Sequence, residues 1–351
     1  MTAFRPSSGW GRTVLAALIG LGLGVAAGTG QAQTAAPPPT KITIAVFTGS
    51  LQSLIPWVAD AQGFYKANGL DPSILLTDVG TQMVTNVASR GAEFVTLAID
   101  VMGGAVKRGL DVVLVSGNLT GNPFAVLVRK GVPLPNAGKY PDVVRDLKGL
   151  KWGVQVRGGS TELTLRAMAR EAGLNVDRDM AWIPVGGPAT ALPALKNASI
   201  DLYIGFDPII QVSTANGFAT VAVDMRKGEG PADFQRVDYN GVWVLRSYLQ
   251  QSPDVVRRFV KAQEEADCWA HDARNFDALV SLIKRNVPVE GLTDEQVRQM
   301  VRDNLPILGS TFQRSSIDKW NGLLVQNNVI PSPLDANQIL WSGLPARNSR
   351  C

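Results

Sequence analysis

Apolar, β-branched runs alternate along this chain with segments of helical periodicity, and the alternation runs twice. A chain patterned this way folds as strands joined by helices, in α/β layers with mostly parallel sheets. KITIAVF (41–47) reads as a buried strand. A helix over 51–66 follows, stopped by Gly69, then a strand at 73–77 and a helix at 81–90. A strand at 94–99 leads to a short helix at 100–108 and strands at 112–116 and 124–128. The pattern restarts with a strand at 151–156, a helix at 160–172 and a strand at 181–185. A helix at 188–197, a strand at 200–204, a helix at 207–216 and strands at 219–223 and 242–245 complete it. Segments 41–99 and 151–204 match loosely, down to a Gly-Leu pair at 69–70 and 173–174, which predicts two similar lobes. After Leu245 the pattern is helical, which reads as a cap returning to the first lobe.

The length of 351 residues suits about two domains. Hydrophobic residues at 45% and charged residues at 18% describe a globular chain rather than a disordered one. The single histidine, His271, and the two cysteines, Cys268 and Cys351, argue against a metal site, haem or an iron–sulfur cluster. No cofactor is expected. Basic and acidic residues are interspersed, so the net charge of +4 gives no reason to expect nucleic acid as a partner.

Arg5 and Arg12 precede an apolar run over 13–28, and small residues follow it. A positive start, a short apolar core and a small-x-small site describe a secretory signal peptide. Cleavage is expected near Ala32, with Ala36 as the alternative site and an uncleaved anchor as the alternative reading. The segment 33–40, with Pro37, Pro38 and Pro39, reads as an extended entry to the body.

At 253–270, Ser252 is the expected N-cap, with Pro253 at the first helical position and Asp254 in the first turn. At about 100° per residue, Val255, Phe259, Ala262, Ala266 and Trp269 share one face and Cys268 falls opposite. Either a Cys268–Cys351 disulfide or two unpaired thiols fits this placement.

In open α/β sheets, ligands bind beyond the carboxyl ends of the strands. That rule selects the loop from Thr48 to Gln52 with Ser50, the turn Gly80-Thr81-Gln82, and Asp100. It also selects the run from Arg157 through Gly158, Gly159 and Ser160 to Thr161, then Gly187 in the next loop, and Phe206-Asp207. The Arg157–Thr161 loop combines close-approach glycines, two hydroxyls, a helix N-terminus and a guanidinium, which suits an anion such as a sulfonate or carboxylate. Trp57 and Phe206 are candidates for pocket walls, and Asp100 and Asp207 instead suit a cationic or amide-bearing solute. The chain has no GxSxG, HExxH or CxxC, and no P-loop. An enzymatic role therefore has little support.

Four segments carry a resemblance to the substrate-binding proteins of nitrate/sulfonate/taurine-type ABC importers, a family that includes thiamine-pyrimidine binders. They are Pro56-Trp57-Val58-Ala59 with Gly63-Phe64-Tyr65, then Ala92-Glu93-Phe94-Val95. The others are Asp146-Leu147-Lys148-Gly149 running into Gly158-Gly159-Ser160-Thr161, and Ala191-Leu192 with Ile200-Asp201 and Phe206-Asp207-Pro208. The resemblance covers roughly 41–285. It implies a two-lobed periplasmic-binding-protein type II fold with a two-strand hinge near 122–125 and 240–242. Lobe one would be 41–123 plus 242–351 and lobe two 124–241, after the leader 1–32. Ligand contacts carried over from the family fall on Ser50, Gln52, Thr81, Asp100, Ser160, Thr161, Gly187, Phe206 and Asp207. The implied role is a monomeric periplasmic protein that captures a small-molecule ligand between closing lobes. It would deliver that ligand to an ABC transporter permease in the inner membrane. The alternatives are an enzyme on the same fold and the effector domain of a transcription regulator. The leader and the scarcity of histidine weigh against both. Mass spectrometry of the secreted form is expected to find Gln33 at its N-terminus; a retained Met1 start would refute the cleaved leader.

Overall fold

The structure is a computed structural model, and it describes residues 38–345 apart from Arg236. The leader and the cleavage site expected at Ala32 lie outside the described residues. No helix among those residues is long and apolar enough to cross a membrane.

All ten strands expected from the pattern are present, in two five-stranded sheets. The first contains β1 (Thr40–Phe47), β2 (Leu70–Thr77), β3 (Phe94–Ala98), β4 (Val112–Leu119) and β10 (Asn240–Leu245) in the order β2-β1-β3-β10-β4. The second contains β5 (Ala125–Arg129), β6 (Lys151–Val154), β7 (Ala181–Pro184), β8 (Leu202–Gly205) and β9 (Ala219–Asp224) in the order β7-β6-β8-β5-β9. The two orders follow one plan. Three parallel strands are followed by one antiparallel strand and an edge strand. The sheets are therefore mixed, where the helical crossovers led us to expect mostly parallel pairing. In each sheet the antiparallel strand is the first one formed after the chain crosses between sheets, over 120–124 and again over 225–239. It lies between two strands that run parallel to each other, β3 and β4 in the first sheet and β8 and β9 in the second.

The inner strands are covered on both faces, which is why they read as continuous apolar runs; Ile44, Ala45 and Val46 of β1 are fully buried. The helix expected over 51–66 is broken into a 3-10 turn Leu51–Ser53 and helices Leu54–Ala61 and Phe64–Ala67. Gly63 makes the break with a φ of 76°. Edge strand β4 is covered by the returning C-terminal segment. Gly117 N–H donates to Ser310 O at 2.7 Å and Thr120 N–H to Ile307 O at 2.7 Å. A Cβ on Gly117 would lie 1.9 Å from Thr311 O, so only glycine permits this approach.

Helix Pro253–His271 packs against helix Leu54–Ala61 of the first sheet's cover. Pro253 takes the first position as expected, but the Ser252 side chain makes no cap bond. The buried face runs through Val256, Phe259, Gln263, Ala266, Asp267 and Ala270, leaving Val255 and Trp269 only partly covered. The rotation follows from buried polar groups with dedicated partners. Gln263 Nε2 donates to Tyr65 Oη, and Asp267 accepts from the Ser310 N–H at 2.8 Å and hydroxyl at 2.9 Å. Cys268 is disulfide-bonded; Cys351, its expected partner, lies outside the described residues.

Two polar clusters fasten the C-terminal helices to the sheets. In the first, Asp207 accepts from Gln211 N–H at 3.0 Å, from Asn304 Nδ2 at 2.7 Å, and from Arg226. Arg226 also grips Asp224 with two bonds, at 2.9 and 2.8 Å. Burial alone would lower the Arg226 pKa, but the two carboxylates overcome it and push the value up. In the second, His271 Nδ1 lies 2.9 Å from Asp267 Oδ1 and Nε2 lies 3.0 Å from Leu305 O. Both ring nitrogens face oxygen, so the imidazolium is the form that satisfies them. The Asp267 hydrogen bond accordingly raises the His271 pKa above 6.5, against the effect of burial.

Two expectations follow. Arg226→Met leaves buried Asp207 without a counter-charge and Asp224 with only the longer Lys227 contact at 3.7 Å, and should cost about 3–5 kcal/mol, read from the chemical-denaturation midpoint; an unchanged midpoint would contradict the pairing. For His271, the raised folded value means its stabilising contribution is complete below the unfolded value of 6.5 and is lost as pH rises through the folded value. Because the chain has one histidine, its NMR titration is unambiguous. The midpoint should exceed 6.5 and should fall in Asp267→Asn.

Candidate functional site

The carboxyl ends of β1, β3, β6 and β8 converge on one cleft of about 840 Å³ between the two sheets. Phe47, Gln52, Thr81, Asp100 and Arg108 line it from the first sheet's side, and Gln155, Arg157, Gly159, Ser160 and Phe206 from the second. Phe124 and Tyr239, one from each crossing, close its base. Their rings meet edge to face at 5.3 Å, and Phe206 leans on Phe124 at 6.1 Å. The cleft is thus an aromatic chamber with a few polar groups placed in it.

Gln52 is oriented from behind. Asn118 Nδ2 donates to its main-chain oxygen at 2.7 Å, and Asn240 Nδ2 donates to its Oε1 at 3.3 Å. The carbonyl end of the Gln52 amide is held inward, which leaves the Nε2 end for the cleft. Asp100 is buried in the first turn of helix Ile99–Lys107, where its Oδ1 accepts from the Val101 N–H at 2.8 Å. Burial pushes the Asp100 carboxyl above its ordinary value, and hydrogen bonds from Ser160 and the Val101 N–H offset this in part. Ser160 comes from the facing side and sits beside both Asp100 and Tyr239. It does not cap its helix: the N-cap is Gly159, and no side chain makes the cap bond. The Tyr239 hydroxyl is buried beside the same Ser160 side chain, so three polar groups meet at this point of the chamber. A second bridge spans the cleft where Gln155 Nε2 donates to Asp78 O at 3.2 Å.

The expected anion loop is already occupied by its own chain. Arg157 Nε pairs with Glu162 Oε2 at 2.8 Å, and the Gly158 N–H donates to the same oxygen at 2.8 Å. Arg166 holds the other oxygen at 2.7 Å. Burial opposes ionisation of Glu162, but these partners overcome it and lower its pKa. Glu162 stands where an anionic ligand was expected to collect its donors.

Of the residues selected from the sequence, Gln52, Thr81, Asp100, Arg157, Gly159, Ser160 and Phe206 share the cleft. Trp57 and Gly187 line an adjoining chamber, together with Phe206. The other four are not among the lining residues. Ser50 accepts from the Gln52 N–H at 3.2 Å, Gln82 Oε1 from the Asp78 N–H at 3.2 Å, and Thr161 from the Gln155 N–H at 3.1 Å. Asp207 is held by Arg226 and Asn304. Sequence reasoning missed Phe47, Phe124, Gln155 and Tyr239. Phe47 ends β1 and Gln155 directly follows β6, so the strand-end rule extended by one position finds them. Phe124 and Tyr239 lie on the crossings; Phe124 falls in the expected strand and hinge, and Tyr239 just before the expected hinge at 240–242.

With this geometry in hand, the chain can be compared with known proteins. The family model described as NMT1/THI5 like matches residues 52–273. The riboflavin-binding protein RibY of Chloroflexus aurantiacus is 27% identical over 288 residues, covering 78% of this chain and 76% of that protein. Among solved structures, the alkanesulfonate-binding protein SsuA of Xanthomonas axonopodis pv. citri, bound to MOPS, superposes with a TM-score of 0.69 at 18% identity. That match covers 87% of this chain and 99% of SsuA. The periplasmic nitrate-binding protein NrtA of Synechocystis PCC 6803 superposes with a TM-score of 0.68 at 15% identity, covering 87% of each chain. The two-sheet α/β architecture is the periplasmic-binding-protein fold, and the chain belongs to the NMT1/THI5-like family.

Proposed function

We propose that the protein is the exported solute-binding component of an ABC importer, and that its solute is a flat aromatic or heteroaromatic molecule bearing N–H or O–H donors. The observation that carries this reading is the composition of the cleft. Phe47, Phe124, Phe206 and Tyr239 surround a buried carboxyl at Asp100, while the nearby guanidinium of Arg157 is neutralised by Glu162. Aromatic walls favour a flat ring, and Asp100 accepts from a donor. The Nε2 end of Gln52 donates to a carbonyl. This favours the amide-bearing alternative over the sulfonate or carboxylate expected from the loop sequence, with Arg108 as the remaining cation of the lining. The riboflavin bound by RibY has a flat ring system with an imide, and so belongs to the class favoured here.

In this role the two lobes, near 41–123 plus 242–351 and 124–241, rotate about the crossings and close on the solute. The closed monomer hands the solute to an inner-membrane permease, and the leader ending near Ala32 places the protein in the periplasm. No catalytic step is invoked. Asp100, Ser160 and Tyr239 are arranged to hold a ligand.

A thermal-shift panel of riboflavin, a thiamine-type pyrimidine, benzamide, taurine, MOPS and nitrate tests the reading. A bound member at about 100 times its Kd adds roughly 2.7 kcal/mol. Aromatic amide or imide members should stabilise the protein, and Asp100→Ala should weaken their binding roughly 10- to 100-fold, the worth of a hydrogen bond to a charged group. Stabilisation by taurine, MOPS or nitrate with none by the aromatic members would overturn it.

A further inference from the structure

A second space adjoins the cleft, and Phe47 and Phe206 line both. The chemistry changes at that boundary. The first chamber holds Gln52, Asp100, Ser160 and Tyr239. The second is walled by Trp57, Leu76, Pro188, Ala189 and Pro288, with Asp78 as its one ionisable residue and no cation. Trp57 is nearly covered, whereas Leu76 is 53% exposed. Among the described residues Leu76 and Val221 are the large hydrophobic side chains that stand in solvent, and Leu76 is the one that does so inside the cleft. An exposed leucine beside a tryptophan and two prolines is apolar surface without a partner from its own chain. The Thr190 hydroxyl at the rim donates to the Val185 and Gly187 carbonyls, so it offers no hydrogen to an occupant.

We propose that the cleft takes a two-part solute, with a flat amide-bearing head in the chamber around Asp100 and an uncharged apolar tail reaching past Phe47 and Phe206 over Trp57 and Leu76. The inference rests on the solute-binding reading above and adds the class of molecule. The tail is apolar because most of the walls are, and it carries no negative charge because Asp78 would repel an anion. It belongs to the same solute as the head, since the two chambers share Phe47 and Phe206 and run together between the same two sheets.

The test is a titration series of benzamide and its 4-methyl, 4-ethyl, 4-propyl and 4-butyl derivatives against the full mature chain, with binding read by calorimetry. Affinity should rise roughly two- to fourfold per added methylene, as expected for burial of apolar surface. Leu76→Asp should flatten that rise while leaving benzamide itself unchanged; Leu76 stands in solvent, so the substitution leaves the fold intact. If benzamide binds and the series is flat in the wild-type chain, the two-part solute is wrong and the single-chamber reading stands. If the series rises equally in Leu76→Asp, the tail lies elsewhere and the assignment of this chamber fails. If no member binds, the aromatic-amide reading itself falls, and this inference with it.

Discussion

In each sheet one strand runs against its neighbours, and the cleft depends on that reversal. β10 lies between β3 and β4, and β5 between β8 and β9. Each is the first strand formed after a crossing, so each sheet is completed by a strand from the other side of a crossing. The six parallel strands β1, β2, β3, β6, β7 and β8 can then point their carboxyl ends at one another across the gap. Both crossings meet that gap, which brings Phe124 and Tyr239 to the same cleft that the strand-end loops line.

The charges near the cleft divide by burial and partner. Arg157, Arg166 and Glu162 form a closed set at the start of helix Ser160–Glu171, so the two guanidiniums and the Gly158 N–H serve the fold. Asp207, Arg226 and Asp224 form another closed set, tied through Asn304 to the C-terminal helices. Asp100 differs from both. It is buried, its carboxyl is pushed up, and its partners are a hydroxyl and a backbone N–H rather than a cation. A buried carboxyl without a counter-ion at the meeting point of two lobes is suited to reading a neutral donor.

Period and punctuation made the elements legible in the sequence. Ten strands appeared where β-branched runs stood, and most boundaries agree within a few residues. The failures are specific. The helix over 51–66 looked continuous because apolar spacing carries on across Gly63, whose φ of 76° only the folded chain displays. Helix Pro253–His271 buries Gln263 and Asp267 because Tyr65 and Ser310 meet them there, and those partners lie far away in the chain. In the site, the strand-end rule brought Gln52, Thr81, Asp100, Ser160 and Phe206 to one cleft. It selected Ser50, Gln82, Thr161 and Asp207 equally, because a residue's position after a strand does not tell whether its polar atoms are already bound.

The sequence by itself determined the alternation of strands and helices, the doubling of that pattern and the loops from which a site would be drawn, since these depend on local periodicity and turn chemistry. Tertiary structure decided the reversal of β5 and β10, the pairing of Arg157 with Glu162 and the joining of Phe47, Phe124, Phe206 and Tyr239 around Asp100. Strand direction depends on how each crossing enters its sheet. The polarity of a cleft depends on which charges find partners within the fold and which are left for a ligand.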